Sequence, residues 1–231
     1  MMSSPSHGPS APPSATTDTD PSRDRRRDRS ARTRRRIADA AYELFADRGF
    51  GVPIGDIATA AGVSVQTVYV TYRNKVGLAQ AALERAVLGD AAPVPPHWQP
   101  WFEALRAAPD PAAAIRIWVE NTLPIYARVA PLAGMFLAEP SVGPIWRHSE
   151  ELRIEGFREV MTIVAAKGVL KADLTVERAA DVMFVLLGPL TYEEFVTGRG
   201  WSPEAWGGWV AAILADSLFE ETPQARRRDG A

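Results

Sequence analysis

The chain has 231 residues, 46% apolar and 23% charged, with a net charge of −2. These proportions fit a soluble globular protein of one small and one larger domain, and no apolar run approaches the ~20 residues that a membrane-spanning helix needs. The absence of cysteine excludes disulfides and thiolate metal sites, and the scattered His7, His97 and His148 predict neither a metal site nor any other cofactor. The Ser-, Pro- and Thr-rich start has no apolar segment of the kind a secretory leader carries, so a cytoplasmic location is expected. The charge is unevenly spread. Arg23 to Asp90 hold 13 basic against 8 acidic residues, whereas residues 91–231 hold 13 against 18. A basic first third on an acidic remainder points to one domain that faces a polyanion.

In chain order, residues 1–22 offer almost no large apolar side chains and cannot repay the entropy of ordering. With the arginines that follow, residues 1–30 are expected to form a disordered basic arm. A first helix is marked by Ile37, Ala40, Ala41, Leu44 and Phe45 on one face and ends at Gly49. Pro53 suits the first turn of a second helix, with Ile54, Ile57, Ala58 and Ala61 on its inner side. Ser64 is a natural N-cap for a short third helix to about Tyr72, and Asn74 for a fourth that runs to Gly89. Pro93, Pro95 and Pro96 then close a domain over residues 31–89. Helical periodicity continues over 97–107, 111–129, 131–138, 145–167, 175–197 and 203–221, with a kink expected at Pro124. Residues 90–222 thus read as a larger helical domain and 223–231, with Arg226 to Arg228, as a solvated tail. The fold class is all-α.

Two helices of about eight residues joined by Ala61, Gly62 and Val63 make a helix-turn-helix whose second member fits the major groove of B-DNA. By spacing alone, such a pair serves packing as readily as DNA reading. Val63, Val68 and Tyr72 would hold the second helix down, leaving Val65, Gln66, Thr67, Tyr69 and Thr71 nearer the DNA. Gln66 can bond adenine in pairs and Val65 can touch a thymine methyl, while Thr67, Tyr69 and Lys75 suit phosphate. The string GDIATAAGVSVQTVYVTYRNKVGL, preceded by Arg48, Gly49 and Phe50, resembles the DNA-binding domain of the tetracycline-repressor (TetR/AcrR) family over residues 32–88. The resemblance implies phosphate contacts for Tyr69 and Lys75, phosphate or base contact for Thr67, and base reading at Val65 and Gln66. Three residues depart from the family pattern: Val52 at the expected cap of the second helix, Gly55 in place of a polar helix former, and Tyr72 in place of Phe. The arginine run is either a solvated tail or an arm along phosphate or the minor groove, with Arg32 and Arg34 as its contact residues.

The resemblance further implies that the larger domain binds a small molecule between helices and pairs with a second copy. On the helix at 111–129, Ile115, Trp118, Val119, Thr122 and Tyr126 recur on one face. Trp118, Thr122, Tyr126 and Phe136 are the candidate pocket residues, although residue by residue a plain core stripe is the simpler account. Helices 175–197 and 203–221 carry more apolar surface than one buried face uses, which predicts a homodimer through a symmetric four-helix contact. No G-x-S-x-G, G-x-x-x-x-G-K or H-E-x-x-H motif occurs, and the adjacent carboxylates Glu150/Glu151 and Glu193/Glu194 read as solvated surface. The expectation is a ligand-released repressor on a palindromic DNA operator, not an enzyme and without a membrane partner. The alternatives are a nucleoid-associated protein that binds DNA without sequence preference and a helical enzyme with a small-molecule pocket.

Overall fold

The computed structural model describes residues 21–89 and 99–220. The expected disorder of residues 1–20 and the expected tail at 223–231 lie outside them. Among the described residues ten α-helices follow in order: α1 Pro21–Arg48, α2 Ile54–Ala60, α3 Val65–Tyr72, α4 Lys75–Leu88, α5 Pro100–Ala107, α6 Pro111–Ala138, α7 Gly143–Ala165, α8 Val176–Leu186, α9 Pro189–Tyr192 and α10 Pro203–Leu218. Among the described residues the one β pairing is an isolated bridge between Leu170 and Phe219. The chain divides between Arg35 and Arg36 into two units. Residues 21–30 are helical, against the expected disorder, since no proline or glycine interrupts the helix between Pro21 and Gly49.

The caps decide the short helices. Ser64 accepts from the Thr67 amide at 3.1 Å and Asn74 from the Gly77 amide at 2.8 Å, as their positions predict. The cap of α2 is Pro53 rather than Val52, and it supplies no side-chain bond. Val52 is buried with the α2 core instead, which is why an apolar residue stands there. Gly77 is needed at the start of α4, since a Cβ there would lie 2.5 Å from the Tyr72 carbonyl oxygen.

Two predicted segments merge and one splits. The spans 111–129 and 131–138 form a single α6 of 28 residues that runs through Pro124 and Pro131. Each proline costs about 3 kcal/mol or more in a helix interior. Thirteen buried residues along α6, from Pro111 to Phe136, supply the packing that outweighs this cost. Conversely, 175–197 is interrupted at Leu187–Gly188, because Pro189 lacks an amide hydrogen and disfavours helix in the residue before it. A π-turn over Glu193–Thr197 follows α9.

The core forms two clusters. One gathers α5, the first two-thirds of α6, α7, α8 and α10 around Trp118, Phe157, Met161 and Trp206. The other gathers α1 to α4 around Phe45, Ile57 and Leu78, and takes in Leu132, Phe136 and Trp146 from α6 and α7. The boundary expected near residue 90 is therefore one of chain, not of core. At Gly207, α10 comes so close to α6 that a Cβ would lie 2.7 Å from Leu123 Cδ1. Replacing Ser64 by Ala removes the α3 cap, and denaturant titration should show a loss of about 1 kcal/mol in unfolding free energy.

Candidate DNA-recognition helix and small-molecule cavity

The short α3 is anchored by one fully buried residue, Val68, 1% exposed. Tyr72 is half-buried against the same core, whereas Val65 is 42%, Tyr69 45% and Val70 73% exposed, and Gln66 is exposed beside them. Val70 escaped the sequence reading, although helical spacing from Gln66 sets it one turn further along the same side. Thr67 and Thr71 are half-buried. The Thr67 hydroxyl lies 2.8 Å from that of Ser64, and the Thr71 hydroxyl donates to the Thr67 carbonyl at 2.7 Å, so both are first of all helix-holding groups. Lys75 extends its ammonium over the Phe50 ring, 4.8 Å from the centroid. Burial lowers its pKa, and the Glu139 carboxylate opposes that shift.

The turn between α2 and α3 is clasped from α1. The Arg36 guanidinium donates to the Ala61 carbonyl, and also to the Gly62 carbonyl at 3.0 Å. Arg48 reaches Asp56 of α2 at 3.3 Å. In the sequence Arg36 is one arginine of a basic run, which shows its charge but not the carbonyls within its reach. Arg32 is exposed and its Nε donates to the Asp28 carbonyl at 3.4 Å; Arg34 is exposed too. These two belong to the N-terminal unit.

The larger core encloses a cavity of about 300 Å3. Trp118, Thr122 and Tyr126, three of the four candidate pocket residues, line it with Trp101, Phe157, Glu150 and Arg153. Phe136 does not. It stacks on Trp146 at 5.8 Å in the other core, because two turns beyond Val129 the shared helix has passed into that cluster. The reading of Glu150 as solvated surface is also corrected. Glu150 accepts from Arg153 Nε at 2.9 Å and Nη2 at 2.7 Å, and the two side chains are 25% and 18% exposed. Glu151 faces water beside His148. The same guanidinium donates through Nη1 to the carbonyls of Phe184 at 3.0 Å and Leu187 at 3.2 Å, groups that the end of α8 leaves open, and lies 3.6 Å from the Phe184 ring centroid. Thr122 spends its hydroxyl on the Trp118 carbonyl at 2.9 Å. Among the described residues no group of three His, Asp or Glu side chains is arranged to hold a metal ion, and no helix is long and apolar enough to cross a membrane.

Residues 37–82 match the model of the bacterial regulatory proteins of the tetR family. They form a TetR-family DNA-binding domain. No curated protein matches the chain. Among solved structures, NalD, the secondary repressor of the MexAB-OprM multidrug efflux pump in Pseudomonas aeruginosa, is similar at 18% identity over 84% of this chain and 100% of that one, with a TM-score of 0.60. A TetR-family transcriptional regulator from Mesorhizobium loti is similar at 19% identity over 83% and 99%, with a TM-score of 0.61. A transcriptional regulator from Saccharomonospora viridis, solved in complex with choline, is similar at 20% identity over 81% and 98%, with a TM-score of 0.59. At these identities the likeness is one of fold, and it extends from the TetR-family domain through the helical remainder.

Burial pushes the Tyr126 phenol up to about 12, against the opposing influence of Arg153 and Thr122. A raised folded pKa means that the stabilising contribution is complete below the unfolded value of ~10 and is lost as pH rises through the folded one, roughly 2–3 kcal/mol across pH 10 to 12. Ultraviolet titration of the five tyrosines should show a step near pH 12 that is absent in Tyr126→Phe.

Proposed function

We propose that the chain is a ligand-responsive transcriptional repressor that binds a palindromic operator as a dimer, its half-sites about one helical turn apart. The observation that carries the reading is α3 itself: a capped eight-residue helix held by buried Val68 and half-buried Tyr72, with Gln66 set among Val65, Tyr69 and Val70 on its open side. Gln66 is suited to paired hydrogen bonds with adenine, and the valines to thymine methyls. Lys75, Tyr69, Thr67 and Thr71 border that side and suit phosphate, with Arg32 and Arg34 adding charge on α1. Such work is done in the cytoplasm, on the nucleoid, and involves no catalysis.

Two further parts follow from the larger core. Val185 at 65% and Leu190 at 51% exposed, with the half-open Trp201 and Trp209, leave α8 to α10 with apolar surface that a second copy would cover. The cavity offers a small apolar or amphipathic molecule a place from which to release the DNA. A protein of this fold from Saccharomonospora viridis binds choline, which supports small-molecule binding in general.

Selection from a random DNA library should enrich a two-fold symmetric sequence. On it, Gln66→Ala should cost roughly 1–3 kcal/mol confined to one base position of each half-site, read by fluorescence anisotropy. Lys75→Ala should weaken all sequences alike and lower the salt slope by about 1. Enrichment of no sequence, with equal binding to all DNA, would instead indicate a nucleoid-associated protein.

A further inference from the structure

The link from α3 to α4 is strained. Arg73 stands at φ 62° and ψ −48°, and it alone among the described non-glycine residues has a positive φ. The Asn74 amide donates to the Tyr72 carbonyl at 2.6 Å, so Arg73 is the centre of a γ-turn of the rare, strained kind, roughly φ 75° and ψ −65° in its ideal form. Neighbours on both sides impose the shape. The Arg73 amide is still bonded to the Tyr69 carbonyl at 2.8 Å, as within a helix, while Asn74 already caps α4 through the Gly77 amide at 2.8 Å. One residue has to make the whole change of direction, and glycine would make it with no Cβ in the way.

The fold draws nothing from the arginine that stands there instead. Its side chain is exposed and makes no hydrogen bond, ion pair or ring contact with the described residues. Lys75, two residues on, differs, since its ammonium lies over the Phe50 ring. A strained residue whose side chain serves nothing inside the molecule points to a partner outside it. Arg73 follows the open Tyr69 and Val70 by one helical turn and Gln66 by two, so that partner is the one α3 docks on. In a helix-turn-helix the start of the second helix reads base edges. Arg73 stands at the opposite end, which leaves it the strand backbone, where a planar guanidinium meets a phosphate with two parallel hydrogen bonds.

We propose that Arg73 is a phosphate-binding residue of the DNA interface, and that the strained turn holds its guanidinium for that contact. This rests on the DNA-binding reading given above.

Arg73→Gly, Arg73→Gln and Arg73→Lys separate the side chain from the backbone it strains. Each is measured for unfolding by denaturant and, by fluorescence anisotropy over a salt series, for binding to operator and to random duplex. Arg73→Gly is expected to be more stable than the parent chain, with an unfolding constant about three- to tenfold smaller, because glycine occupies positive φ without strain. Arg73→Gln keeps the Cβ and should unfold like the parent. Both should bind operator and random DNA at least about fivefold more weakly, with the salt slope lowered by about 0.9 for each arginine lost from the interface. Arg73→Lys keeps the charge and should keep the slope. Binding by the Gly and Gln variants as tight as the parent's, a loss confined to one base pair of the operator, or an Arg73→Gly no more stable than the parent overturns the proposal. A parent that binds DNA of any sequence but selects no operator refutes the repressor reading alone, and the slope of the Gln variant still decides this one. A parent that binds operator with a slope indifferent to residue 73 does the reverse, and one that binds no DNA overturns both.

Discussion

The burial of one helix in two cores is the constraint on which the rest depends. α6 places Ile115, Trp118, Val119 and Tyr126 in the core of the larger domain, and Leu132, Ala133 and Phe136 in the core of the TetR-family domain. Because both sets sit on a single rod with a rise of about 1.5 Å per residue, neither core can be repacked without moving the other. This also accounts for the survival of Pro124 and Pro131 inside α6: a helix so thoroughly buried tolerates two missing hydrogen bonds that an exposed one would not. Where α4 leaves the first core, Arg128 of α6 donates to the Ala86 carbonyl at 2.8 Å, so the end of α4 is tied to the same rod. Val87 and Val129, the residues that follow these two, both line the cavity. A molecule in that space would touch the α4–α6 contact directly.

Arg153 plays a comparable part on the cavity wall. One guanidinium pairs with Glu150, lies against Phe184 and closes the two carbonyls left open where α8 stops. The break in α8 is written in Gly188 and Pro189, but the chain could not stay broken cheaply in a buried setting unless a donor met those carbonyls. The same interaction removes net charge from the cavity, so a device that ends a helix also shapes what the wall can recognise.

Much of this was legible beforehand. The caps at Ser64 and Asn74, the extent of α3 and α4, and the presence of Trp118, Thr122 and Tyr126 on one wall follow from local pattern, since caps and helical faces are properties of a few neighbouring residues. What local pattern misses is contact at long range. Arg36 looks like any other arginine of its run until the Ala61 carbonyl is seen next to it. Phe136 shares its helix with the cavity residues yet belongs to the opposite core, because the position of the changeover is set by which helices lie alongside. Glu150 reads as surface until Arg153 is placed, and the split of 175–197 was hidden by apolar periodicity that continues across Pro189.

The same distinction bears on α3. Eight residues are too few for a helix to be stable alone in water, where about 12–15 are marginal. α3 therefore takes its form and its direction from its surroundings: the Ser64 cap, the core contacts of Val68 and Tyr72, the α2–α3 turn clasped by Arg36, and an α4 that can start so close to Tyr72 only because residue 77 is glycine. All of these supports belong to a core that α6 shares with the cavity-bearing one. Val68 of α3, Ala86 near the end of α4 and Leu132 of α6 lie in that one core, so a displacement of α6 or of the end of α4 would act on the packing that carries α3.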